Sequence, residues 1–156
     1  MNILIVDDTK FDIMIVKEII KSSGIECFIT TARSGEEAIQ IINSKEIDII
    51  LLNIIMPKFS GIETLEIIRK KNKNIVILML TSLTEKKYLE KSFELGANDY
   101  INMPIEPIEF ISRFKAAIKM KEYQNALLES YANLKNDNYK LKELNMTLSR
   151  TQSDLL

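Results

Sequence analysis

The sequence predicts an α/β domain with a doubly wound parallel sheet, followed by a long helix suited to self-association. Two observations predict the domain: five short β-branched runs, and an amphipathic stretch with helical spacing after each. A third, a seven-residue leucine repeat near the end, predicts the helix. The runs are residues 3–6, 25–30, 47–52, 75–80 and 100–101. They are apolar almost throughout, as strands covered on both faces are. In the first helical stretch Ile13, Val16 and Ile20 share one face. In the second, Ser34 is placed to cap the N-terminus, Glu36 and Glu37 suit the first turn, and Ala38, Ile39 and Ile42 form the apolar side. Leu65 and Ile68 mark the third helix; Leu89 and Phe93 mark the fourth, which Gly96 ends. Pro107 suits the first turn of a fifth. Strict βα alternation requires crossover connections, hence a parallel sheet with helices on both faces.

From about Arg113 onward the sequence has no strand signal, proline or glycine. Leu127, Leu134, Leu141, Leu148 and Leu155 fall seven residues apart. With these as d positions, the a positions include Asn138 and Asn145, which reduce stability but favour a paired, in-register dimer. Asp137 and Lys142 then attract each other across a parallel dimer. A single solvated helix is the plainer alternative, and five leucines in register favour the coil. The expected organisation is a domain over 1–120 and a coiled-coil helix over 121–156, associating as a parallel homodimer. The sequence stops in mid-coil at Leu155 and Leu156 with no capping residue, which predicts an output domain beyond.

Composition narrows the function classes. The chain has 156 residues, 46% hydrophobic and 28% charged, which is the balance of a soluble globular protein. Its net charge is −1, and residues 105–156 hold eight basic against seven acidic side chains, so no basic arm is expected to bind nucleic acid. No apolar run is long enough to span a membrane. The single cysteine, Cys27, cannot form an internal disulfide and is read as a small buried hydrophobe in a cytoplasmic protein. No histidine is present to serve as general base or zinc ligand.

In an open parallel sheet the functional crevice lies beyond the carboxyl ends of the strands. The residues there are Asp7 and Asp8, Asn53, Thr81 with Ser82, and Asn102 to Pro104. Two adjacent carboxylates facing a third oxygen-bearing side chain is how a protein holds a hard cation such as Mg²⁺. With these residues the chain resembles the receiver domain of bacterial two-component response regulators. The matching segments are ILIVDD at 3–8, SGEEAI at 34–39, DIILLNIIMPKFSGIE at 48–63, ILMLTS at 77–82 and GANDYINMP at 96–104, in order over residues 1 to about 120. The resemblance implies a flavodoxin-like sheet of order 2-1-3-4-5. It also implies Mg²⁺ ligands at Asp8 with support from Asp7, a phospho-acceptor at position 53 and a metal-binding carbonyl at Ile55. Thr81 corresponds to the threonine that binds the phosphoryl group, Tyr100 to the aromatic that changes rotamer with it, and Met103 to the position of the phosphate-pairing lysine.

Two positions depart from the family. Asn53 replaces the aspartate and Met103 replaces the lysine. A carboxamide is not a carboxylate nucleophile, and a thioether offers an incoming phosphate no cation. The family's pocket has three carboxylates and a lysine; this one has two carboxylates and no lysine, so the formal charge is −2 in both. Losing the lysine alone would crowd three like charges, so the two changes are read as a natural, co-adapted degeneration. No cofactor is then required, and any Mg²⁺ would be held weakly.

The expected function is that of a pseudo-receiver, a non-enzymatic signalling module that cannot accept phosphate at Asn53. It would act by dimerisation or partner docking, with a sensor kinase or other signalling protein as partner and the coil as relay. Receivers often pair through the face of the fourth helix, fifth strand and fifth helix, where Asp99 and Arg113 are placed to pair across an interface. The basic residues Arg113, Lys115, Lys119 and Lys121 are read as a solvated helix face. An ordinary phospho-accepting receiver with Asn53 introduced to block phosphorylation is the first alternative, and Met103 speaks against it. A flavodoxin-like cofactor binder is the second, disfavoured by four glycines in all and no glycine-rich phosphate loop.

Overall fold

The structure, a computed structural model, describes residues 1–155, Leu83 without its side chain; Leu156, the last residue of the expected coil, lies outside the described residues. Five parallel strands form one sheet in the order β2-β1-β3-β4-β5: β1 (Asn2–Val6), β2 (Phe28–Ala32), β3 (Ile49–Asn53), β4 (Val76–Thr81) and β5 (Asp99–Asn102). This is the predicted topology. Helices α1 (Lys10–Ser22), α2 (Gly35–Ser44), α3 (Gly61–Lys71), α4 (Leu89–Glu94) and α5 (Pro107–Leu155) follow the strands in turn, with a 3-10 turn at Leu83–Tyr88 leading into α4.

The alternating side chains of the central strands supply two cores. Leu4, Val6, Ile50, Leu52, Ile77 and Met79 pack with Ala38 of α2 and with Leu65 and Ile68 of α3. Ile3, Ile5, Ile49, Leu51, Leu78 and Leu80 face the other way, onto α1 and the start of α5. There Phe110 and Phe114 are fully buried and stack at 5.6 Å between ring centroids. Burying one aromatic ring of this size contributes about 2–3 kcal/mol.

Several details differ from the sequence reading. The second strand begins three residues later than expected and runs on to Ala32, because its ladder opens where the Phe28 N–H donates to the Met1 carbonyl. Ile25 and Cys27 precede it, half-buried against the second core, and burial pushes the Cys27 thiol pKa up. On α2 the residues that pack inward are Ala38, Ile41 and Ile42. Ser34 caps that helix by accepting from the Glu37 N–H at 3.1 Å. Phe93 is exposed and meets Tyr100 edge-on. Gly96, at φ 103°, follows the end of α4.

By internal contacts the chain divides into two compact units, Met1–Lys121 and the residues from Glu122 onward. Lys121 is not on a solvated face: it is buried, and its Nζ donates to the Asn74 carbonyl at 2.9 Å. The second unit is a continuous stretch of α5, in which Leu127, Leu134, Leu141, Leu148 and Leu155 are all exposed. Asn138 and Asn145 are exposed with them.

Candidate functional site

The pocket is built on the carboxyl ends of β1, β3, β4 and β5. Asp7 follows β1 directly, and its backbone N–H donates to the Ala32 carbonyl at 3.1 Å, the last link between β1 and β2. Its side chain is 1% exposed; Oδ1 accepts from the Thr9 N–H at 2.9 Å, while Oδ2 is buried with no hydrogen-bond partner. Burial, with Asp12 and Asp8 nearby adding repulsion, pushes the Asp7 carboxyl up to about 6, against the pull of the Thr9 hydrogen bond. Asp8 is held through its backbone: the Arg33 guanidinium donates to its carbonyl at 2.8 and 3.1 Å.

Asn53 ends β3, and its amide nitrogen Nδ2 donates to Asp7 Oδ1 at 3.4 Å and to Asp8 Oδ1 at 3.3 Å. The opposite amide orientation would set a carbonyl oxygen against two carboxylates, so donor chemistry fixes this one. The backbone is held directly after Asn53, at Ile54. The Ile54 N–H donates to the Leu80 carbonyl at 3.1 Å, and Gly61 donates to the Ile54 carbonyl at 2.7 Å. A Cβ at Gly61 would collide with the Asn53 carbonyl oxygen. Ile55, two residues beyond Asn53, carries an exposed side chain.

Thr81 is buried, and its hydroxyl donates to the Ser82 carbonyl at 3.2 Å. Ser82 forms a capping box with Glu85. Tyr100 is half-buried, with the Arg113 guanidinium over its ring at 4.6 Å. Arg113 also bonds Asp99 at 2.7 Å and Glu109 at 3.3 Å, and the Asp99 charge favours its protonated form against burial. Asp99 and Arg113 therefore pair within the chain. Sequence spacing placed the two on one face without showing that β5 and α5 bring them into contact. The Arg113 contact with Tyr100 was missed for the same reason. Met103 is half-buried against the second core, and its N–H donates to the Thr81 carbonyl at 2.7 Å. It fills the space with an apolar side chain.

A Mg²⁺ ion needs oxygen ligands that converge. Asp7 Oδ2 is an unpartnered acceptor, but an N–H₂ group points at both acids from the third position. Among the described residues no group of three or more His, Cys, Asp or Glu could hold a metal ion. The residues do not fit a divalent ion while the Asn53 amide keeps this orientation.

The family described as "Response regulator receiver domain" matches residues 3–115. The chain belongs to that family. A receiver domain is a signalling module of two-component systems, and the five-stranded topology and strand-end pocket fit it. Among curated relatives, the probable transcriptional regulator ycf27 of Cyanidium caldarium is 34% identical over 97% of this chain and 59% of its own length. The alkaline phosphatase synthesis transcriptional regulatory protein PhoP of Bacillus subtilis is 34% identical over 78% of this chain and 50% of its own length. The chain thus spans about half the length of the curated relatives it matches. A two component transcriptional regulator AraC from Clostridium phytofermentans has a similar solved structure: TM-score 0.73, 27% identity, over 81% of this chain and 98% of that one. The expectation that nucleic acid plays no part finds no support here, since these relatives carry the names of transcriptional regulators. Among the described residues no helix is long and apolar enough to cross a membrane.

Proposed function

We propose that this receiver is a pseudo-receiver, which takes no phosphate at position 53 and signals through association. The observation that carries the reading is the carboxamide of Asn53 at the end of β3, turned with its N–H₂ toward Asp7 and Asp8. Met103 supports it, since the half-buried thioether gives a phosphoryl group no cation to pair with. Thr81 already spends its hydroxyl on the backbone, and Tyr100 is held by Arg113, so neither depends on a phosphoryl group for a partner.

The partner in this reading is a second copy of the chain, joined in parallel through Leu127, Leu134, Leu141, Leu148 and Leu155. A row of exposed leucines along one helix needs a covering surface. Asn138 and Asn145 would meet their own counterparts only when the two helices run parallel and in register. A sensor kinase or other signalling protein would dock on the folded domain, in the cytoplasm, and the coil would relay the outcome to an output domain.

An ordinary phospho-accepting receiver, with Asn53 an introduced block, is the second reading. The retained Asp7, Asp8, Thr81 and Tyr100 favour it, and Met103 opposes it. Sedimentation equilibrium of the Asn53→Asp chain with and without a small-molecule phosphodonor separates the two, because restoring the acceptor lets only an ordinary receiver respond. The pseudo-receiver reading expects a dimer whose content the donor does not change. A monomer, or a dimer content that responds to the donor, would reject it.

A further inference from the structure

We infer that the Asn53 carboxamide stands in the place of a metal ion, balancing Asp7 and Asp8 by hydrogen bonding, so that the pocket is complete without a divalent cation. The inference rests on reading Asn53 as the strand-end residue of a receiver pocket that lacks its third carboxylate. It adds what that residue does instead.

The amide nitrogen reaches one oxygen of each acid, at 3.4 and 3.3 Å, and so occupies the point between them where a shared cation would sit. One acceptor and the backbone that carries the other are placed independently of it. Asp7 Oδ1 is fixed by the Thr9 N–H, and the Asp8 backbone by Arg33. The main chain that carries the donor is fixed directly after it, where the Ile54 N–H donates to the Leu80 carbonyl and the Ile54 carbonyl accepts from Gly61. A hydrogen-bond donor between two carboxylates lowers their mutual repulsion but carries only a partial charge. An aspartate at the same position would add a third like charge and remove the donor. Met103 stands where the family has a lysine and offers that added charge no cation.

The test is the thermal stability of the whole chain in EDTA and in about 10 mM Mg²⁺, for the wild type, Asn53→Asp and Asn53→Ala. The wild type should melt within about 1 °C of the same temperature in both buffers. Asn53→Asp should melt lower than wild type in EDTA and rise by about 4 °C once Mg²⁺ is in roughly tenfold excess over its Kd. Asn53→Ala empties the position without adding charge, so it should also gain Mg²⁺-dependent stability, by less. That variant keeps the test decisive where Asn53→Asp does not fold without metal. A wild type that Mg²⁺ stabilises as strongly as it does Asn53→Asp would overturn the inference. So would an Asn53→Ala chain indifferent to Mg²⁺. Covalent phosphorylation of the wild type would instead defeat the pseudo-receiver reading and leave these melting shifts to decide the clamp separately.

Discussion

Replacing Asp7 with asparagine should stabilise the protein at neutral pH, although it alters a fully buried polar residue of the pocket. The Asp7 carboxyl titrates near 6 in the folded chain against an ordinary value of 3.8, chiefly because burial disfavours its charged form. The folded state therefore holds the proton more tightly than the unfolded state, and stability falls as pH rises from about 4 to about 6. Above that window the ionised Asp7 costs about 3 kcal/mol, from roughly two pKa units at 1.36 kcal/mol each. Asparagine keeps an oxygen for the Thr9 N–H and the Asn53 amide. Its new N–H₂ takes the place of the orphaned Oδ2, within reach of Asp8. Allowing for imperfect geometry in that new bond, Asp7→Asn should gain about 2 kcal/mol at pH 7 and about 0.5 kcal/mol or less at pH 4. Urea denaturation of both chains in EDTA across this range measures the difference. A loss of stability at pH 7, or a gain that does not change with pH, would refute the reasoning.

Three further outcomes follow from other contacts. Gly61→Ala drives a methyl group into the Asn53 carbonyl and should cost about 2–3 kcal/mol, read from the shift of the urea midpoint at constant slope. Arg113→Ala removes a partly exposed ion pair with Asp99 and the cation over Tyr100, for about 1 kcal/mol together, and should broaden the Tyr100 ring signals as the ring gains rotamers. Leu141→Asp places a charge on the expected dimer seam and should raise the dimer dissociation constant at least about tenfold while leaving the melting of the globular unit unchanged.

Much of the fold was legible because parallel strands buried on both faces leave an unmistakable trace. Residues 49–52 and 76–80 are wholly apolar and wholly buried. The edge strand β2 was misplaced because it obeys no such rule: Phe28 is exposed, and Thr30 and Thr31 are half-buried. Its limits are set by pairing with β1, a non-local cause that periodicity cannot carry. The pocket residues were legible from one topological fact, that each follows a strand. Their partners were not, because hydrogen bonds such as Arg33 to the Asp8 carbonyl and ion pairs such as Arg113 to Asp99 join residues 25 and 14 positions apart. Lys121 shows the limit from the other side, since a lysine at a helical position reads as solvated until its Nζ is seen on the Asn74 carbonyl.

The central claim is that this receiver pocket does not take phosphate, and the intact mass of the whole chain tests it most directly. Wild type and Asn53→Asp are incubated in parallel with Mg²⁺ and a small-molecule phosphodonor, then weighed. The account predicts an unmodified mass for the wild type and for the aspartate variant, whose pocket still lacks the lysine. A wild-type chain heavier by one phosphoryl group, carried on the pocket, would contradict it.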